Sequence, residues 1–413
     1  MLRWAGTGAL ALGVAGCSAA AQQTGQSGSA ASAIPAAAGN HAFLDSTALH
    51  TLDIAISDTD LAAVLAAYQA DRSKDWVEAD VTIDGTTYRR AGVRLKGNST
   101  IFRLPAGSAA TAYPWLVRLD KFVDGQAHHG VTEIVVRTNN TASALNEALA
   151  LDLLTKAGLA AQPWAYAAVS VAGEDAVLRL VLEHPSDPWV AATFGTDGVL
   201  YKAQAGGNYD YLGDSPSAYA ERFDVEAGPD DLAPLTGFLK WLNEVDDTGF
   251  AADLHQHLEV PAFTTYLALE RLIDNYDAID GPGNNSYLWW AKASGRMTVV
   301  PWDHNLTFGV SNRPGAGGGG PAGAGMPGRG GGAGGANAGN RTGNVLSRRF
   351  EADTGFTAQL GTERTRLTEE IFTSGYAPDR LDAIAGLLAE TAAAYLSADT
   401  LATEKAAISA ALG

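Results

Sequence analysis

Cysteine is almost missing from this chain. Cys17 stands alone among 413 residues, which excludes an intramolecular disulfide and any CxxC metal site. Positive charge is scarce as well. Lys and Arg number 28 against 46 Asp and Glu, leaving a formal net charge of -18. So acidic a surface repels phosphate backbones and anionic headgroups, and nucleic acid is not an expected partner. The GxSxG and HExxH patterns are absent, which removes the common serine-hydrolase and zincin readings.

What is present begins with a targeting signal. Arg3 supplies a positive charge, Ala9 to Val14 is an apolar core too short to span a bilayer, and Val14-Ala15-Gly16-Cys17 fits a bacterial lipobox. Residues 1–17 are therefore expected to be a lipoprotein signal, with Cys17 the lipidated residue. An ordinary secretory peptide with an incidental cysteine is the alternative. Ser18 in place of Asp favours the outer membrane in a diderm bacterium, so the expected place is the cell envelope, with a lipid anchor as the only membrane contact. Residues 18–40, mostly Ala, Gln, Ser and Gly, lack the apolar side chains needed to order themselves and read as a flexible linker.

Periodicity predicts a helix over 57–73, with Ser57 or Asp58 as its cap. A hairpin follows, with strands over 76–83 and 88–95 and Asp84-Gly85 as its turn. In its second strand Ala91, Val93 and Leu95 share one face, and Arg90, Arg94 and Lys96 the other. Further strands are expected over 115–119, twice within 164–183 and over 198–202. Helices are expected over 143–157, 229–245, 261–274 and through 345–413. Residues 313–344 are low-complexity Gly and Ala, predicted to be a disordered insertion and not a phosphate cradle. Strand-rich before and helix-rich after, the chain reads as α+β.

The most informative stretch runs from Leu272 to Gly309. Asp277, the pair Asn284-Asn285 and Asp303 surround a short hairpin with strands at 287–290 and 297–300. A loop carboxylate, an amide oxygen and a strand-end carboxylate are hard oxygen ligands of the kind that suit nucleotide-bound Mg²⁺. Each has a plainer reading: Asp303 as a turn cap, Asn284 and Asn285 as turn formers after Asp280-Gly281-Pro282-Gly283. Lys96 at a strand end suits nucleotide phosphates, with Glu147 on the 143–157 helix to orient it. Alternatively Lys96 is a solvated strand-edge cation and Glu147 an exposed helix residue. His128-His129 and His255-Gln256-His257 lack a matching ligand spacing and read as surface or packing histidines.

In order and spacing, these segments resemble the CotH (spore-coat H-type) kinase family over roughly residues 50–400. The resemblance rests on Gly92-Val93-Arg94-Leu95-Lys96-Gly97-Asn98-Ser99, on Arg137-Thr138-Asn139-Asn140 leading to Glu147, and on Gly198-Val199-Leu200-Tyr201-Lys202. It is completed by Asn275-Tyr276-Asp277, Asn284-Asn285-Ser286-Tyr287-Leu288, and Pro301-Trp302-Asp303 with Phe308-Gly309. It implies a diverged protein-kinase-like two-lobe fold in residues 41–413, with a strand-rich N-lobe over about 50–205 and a helix-rich C-lobe over about 206–400. It also implies phosphorylation of Ser or Thr in envelope or coat proteins, using ATP and Mg²⁺ or Mn²⁺. Asp277 would be catalytic, Asn285 and Asp303 would bind metal, and Lys96, Glu147 and Lys202 would serve the nucleotide. The sequence departs from the family pattern at Asn305, where aspartate is usual, and at Thr111-Ala112, where a basic residue is common. A catalytically silent scaffold and a metal-dependent phosphoesterase are the competing readings of the same residues.

Overall fold

A computed structural model describes residues 43–97, 99–105, 107–204, 208–281, 285–310 and 343–413. The expected signal with Cys17, the linker to residue 40, Asn98, Asn284 and nearly all of 313–344 lie outside them. In chain order the elements are β1 (Leu49–Ala55), α1 (Asp58–Asp71), β2 (Val77–Ile83), β3 (Thr86–Leu95), α2 (Ser99–Arg103), β4 (Trp115–Arg118) and β5 (Glu133–Val136). Then come α3 (Leu145–Lys156), β6 (Trp164–Val171), β7 (Val177–Glu183), α4 (Asp187–Thr193), β8 (Gly198–Ala203) and β9 (Phe223–Ala227). Helices α5 (Ala233–Glu244), α6 (Asp247–His257) and α7 (Val260–Leu272) precede β10 (Ser286–Ala291) and β11 (Arg296–Pro301). The last elements are α8 (Val345–Ala352), α9 (Thr354–Leu367), α10 (Tyr376–Thr391) and α11 (Ala398–Leu412).

Local chemistry explains much of this. Ser57 caps α1 by accepting from the Asp60 amide at 3.1 Å. Asp84 and Gly85 both have positive φ, 46° and 82°, the conformation a two-residue hairpin turn needs between right-twisting strands. Seven strands then close on themselves in the order β1-β2-β3-β4-β5-β7-β6. Closure comes from β1 running parallel to β6, Leu49 beside Tyr166 through Ile54 beside Val171, so no strand edge is left open. Alternate side chains, among them Val93, Leu95, Trp115, Val117 and Ile134, fill the barrel interior.

The outward side chains of β4 to β7 are apolar too. Leu116, Val135, Leu180 and Leu182 belong to a second core shared with α3, α7, α10 and the sheet β11-β10-β8-β9. This corrects the expected fold class. The molecule is α+β, but it lacks the two-lobe kinase-like arrangement. Strands buried on both faces cannot form a free-standing lobe, and one apolar core continues from the barrel wall through the second sheet to the C-terminal helices.

Candidate phosphotransfer site

Two loops and a helix start meet beside the second sheet. Ser286 pairs with Pro301 at the open end of the β10–β11 hairpin, so Asn285 and the Trp302-Asp303 pair lie at one end of it. Asp303 has φ of 63°, the left-handed region that aspartate enters more readily than most residues. The loop after α7 is tied to this end by backbone bonds, Tyr276 N to Leu306 O at 2.9 Å and Phe308 N to Ile273 O at 2.8 Å. Beneath them Glu270, fully buried on α7, accepts from Asn275 Nδ2 at 2.6 Å and pairs with His304 Nε2 at 2.8 Å. Burial opposes a charge on His304, but Glu270, supported by Glu147 and Asp303, outweighs it and raises the imidazole's affinity for its proton. One buried carboxylate thus fixes both loops, the one bearing Asp277 and the one bearing Asp303.

Asp277 is half-buried. Burial, and next the negative charge of Asp303, push its carboxyl above the ordinary aspartate value, while Arg103 pulls it down. Asn146, near the start of α3, donates to the Asn305 carbonyl at 2.8 Å. The atypical Asn305 therefore contributes a backbone acceptor to the scaffold of the site.

The plainer readings of Lys96 and Glu147 do not hold, because the first is 8 % exposed and the second 2 %. Nor does Glu147 meet Lys96. Its partner is Arg137, which donates through Nε at 3.2 Å and pairs through Nη2 at 2.9 Å. The same Nη2 contacts Asp303 Oδ1. Burial disfavours the Arg137 charge, but Asp303 and Glu147 together hold it strongly protonated.

Lys96 sits instead 2.7 Å from Nε2 of His184. The other ring nitrogen, Nδ1, lies 3.0 Å from Glu133 Oε2, so that nitrogen carries a proton. Nε2 also lies 3.1 Å from Glu226 Oε1. A neutral ring accepts there from Lys96, whereas a protonated one donates to Glu226. Lys202 faces Tyr287 across the β8–β10 register. The ammonium groups of Lys96 and Lys202 both lie over the Trp302 ring, at 5.4 and 5.9 Å. The structure thus gathers Lys96, Lys202, Asn285, Asp303, Asp277 and Glu147 around Trp302 and the hairpin end.

Sequence reading assigned no role to Arg137, His184, Glu226 or Glu270. Arg137 ends the apolar run of β5 and His184 follows β7, and a charged group ending a buried strand requires a buried partner. That signal was available. The partner's identity was not. The histidine pairs do pack: His257 stacks on Trp241 at 3.9 Å, and His128 bonds Tyr88 at 2.9 Å.

Residues 93–410 match the family model described as CotH kinase protein. Among curated proteins the chain is similar to the inner spore coat protein H of Bacillus subtilis (strain 168), 23% identical over 173 residues, 40% of this chain and 47% of that protein. The chain thus spans about half the length of this curated relative.

Proposed function

This chain belongs to the CotH kinase protein family, and we propose that it is an atypical protein kinase. It transfers the γ-phosphate of ATP, with Mg²⁺ or Mn²⁺, to Ser or Thr hydroxyls of coat or envelope proteins. The relative's name, an inner spore coat protein, supports a coat or envelope location, and a lipid on Cys17 holds the chain there. The observation that carries the reading is the convergence of the loops bearing Asp277 and Asp303, tied by Tyr276 N to Leu306 O at 2.9 Å and Phe308 N to Ile273 O at 2.8 Å.

In this reading Asp277 receives the acceptor hydroxyl's proton, and Lys96 and Lys202 hold the phosphates. Asp303 and Asn285 offer the hard oxygens that would hold Mg²⁺, which when bound would supply positive charge to the phosphate oxygens. Mutual repulsion of the two aspartates fits such an ion. Arg137 pairs with Glu147 and so anchors Asp303 to α3.

One observation favours a second reading, a binding protein of the envelope without transfer activity. Arg137 already neutralises the carboxylate that a metal would need. Radiolabelled ATP, a Ser-rich peptide and either metal separate the two. We expect label on the peptide, and a loss of about 10²–10⁴-fold for Asp277→Asn with ATP binding kept. Asp303→Asn is expected to abolish metal-dependent ATP binding. A wild-type protein that labels nothing and shows no ATP-dependent thermal shift ends the kinase reading.

A further inference from the structure

We propose that the cavity between β3 and the β8–β9 edge of the second sheet binds a phosphate chain, and that it reads the chain without regard to any base attached. Its volume is about 290 Å³, and its walls include Lys74, Arg94, Lys96, Lys202, Asp224 and Glu226. In a chain where acids outnumber bases 46 to 28, four cations facing two carboxylates are an unusual concentration. Both carboxylates are already engaged, Glu226 by His184 and Asp224 by Gln204.

The cations repel one another. Burial, and next Lys202, hold the Lys96 ammonium well below the ordinary lysine value. Burial, Lys202 and Arg94 bring Lys74 down to about 8. Clustered cations around a partly buried pocket are costly until an anion shares them. Arg94 adds a second sign. Its guanidinium lies over the Trp76 ring at 4.9 Å, and its Nε is shielded from solvent with no acceptor.

The wall chemistry decides the ligand class. Pockets that take a nucleobase or similar ring are lined mostly by apolar and aromatic side chains. Among the described residues, Val225 is the only one lining this cavity with a hydrophobic side chain. Such walls complement the oxygens of a phosphate chain, whether it belongs to a nucleotide or is inorganic polyphosphate.

Lys96 and Lys202 also lie on Trp302, so the cavity adjoins the residue that precedes Asp303. The donor role rests on the phosphotransfer reading; the binding does not. As a donor the chain offers its terminal phosphoryl group. The acceptor hydroxyl oxygen forms the new P–O bond, its proton passes to Asp277, and the bridging P–O bond breaks with its electron pair going to the shortened chain.

Calorimetric titration of the full chain with tripolyphosphate, ATP, GTP and adenosine tests this. We expect the three phosphate-bearing ligands to bind within about threefold of one another, and adenosine not at all. Lys74→Gln and Arg94→Gln, checked for an unchanged thermal midpoint, should each weaken tripolyphosphate about tenfold. The Lys74 ammonium, facing Lys202, Arg94 and Asp224, is charged below about 8. Affinity should therefore fall from pH 7 to 9, and fall less in Lys74→Gln. Tripolyphosphate that does not bind, adenosine that binds as well as ATP, or folded variants with wild-type affinity overturn the proposal. Tripolyphosphate binding without transfer from any donor keeps the proposal and sinks only the kinase reading.

Discussion

Arg137 decides how the candidate site holds together. Its guanidinium bridges two carboxylates that approach from different elements, Glu147 on α3 and Asp303 after β11. Its side chain is 11% exposed and that of Glu147 2%. Removing one partner of such a buried set leaves uncompensated charge, costing about 3–5 kcal/mol. Arg137→Met should therefore lose about 3–5 kcal/mol in urea unfolding at pH 7. Arg137→Met with Glu147→Leu should recover part of it, because the stranded charge is gone. A single variant within about 1 kcal/mol of wild type would mean that the bridge contributes little. The proposed oxygen donors stood out in the sequence because Asp277, Asn285 and Asp303 crowd around one local hairpin. Arg137 was legible as part of a motif, but its role was not. It lies 166 residues from Asp303, and no local period links a strand end to a loop that far away.

At the scale of elements, α3 carries Glu147, and the Ser143 hydroxyl just before it accepts from its first amide, Leu145 N, at 3.2 Å. Ala144, at the cap position, has φ of 52° and makes no side-chain bond. The residues leading into the helix are in turn held from α11. Glu404 accepts from the amides of Ala142 at 2.8 Å and Ser143 at 2.9 Å, and from the Ser143 hydroxyl. Helix α11 thus holds the start of the helix that bears Glu147. Hydrogen bonds to a charged group are each worth about 1.5–3 kcal/mol, so Glu404→Ala should lower stability by at least that much in urea, with Glu404→Gln intermediate. An unchanged unfolding midpoint in Glu404→Ala would rule out the clamp. Elements with their own signals were readable: the Asp84-Gly85 hairpin, the Leu145, Leu149 and Leu153 stripe, the β10–β11 pair. Strands β1, β5 and β9 and helices α4 and α6 were not. Four-residue β5 is too short to show a period. The strand that closes the barrel, β1, is defined by a parallel partner beginning at Trp164. A strand-rich first half could be read, but its closure could not, because closure is a non-local pairing.

At the scale of the whole molecule, charge and the proposed attachment pull in opposite directions. A net charge of -18 sets the body against an anionic membrane surface. No helix among the described residues is long and apolar enough to cross a membrane. Any hold on the envelope has to outweigh that repulsion, and the lipid proposed on Cys17 is suited to do so. Each buried methylene contributes about 0.8 kcal/mol, so two or more acyl chains resist a salt wash that strips electrostatic contacts. Wild-type protein should therefore stay in the membrane pellet through a high-salt wash. Cys17→Ala should move to the soluble fraction with its thermal midpoint unchanged, because the residue precedes every described element, the first of which begins at Leu49. The repulsion adds a sign to this. In the variant, lowering ionic strength should release protein from anionic vesicles more completely, opposite to the behaviour of a basic peripheral protein. A Cys17→Ala protein that pellets as wild type does would place the anchor elsewhere in the chain.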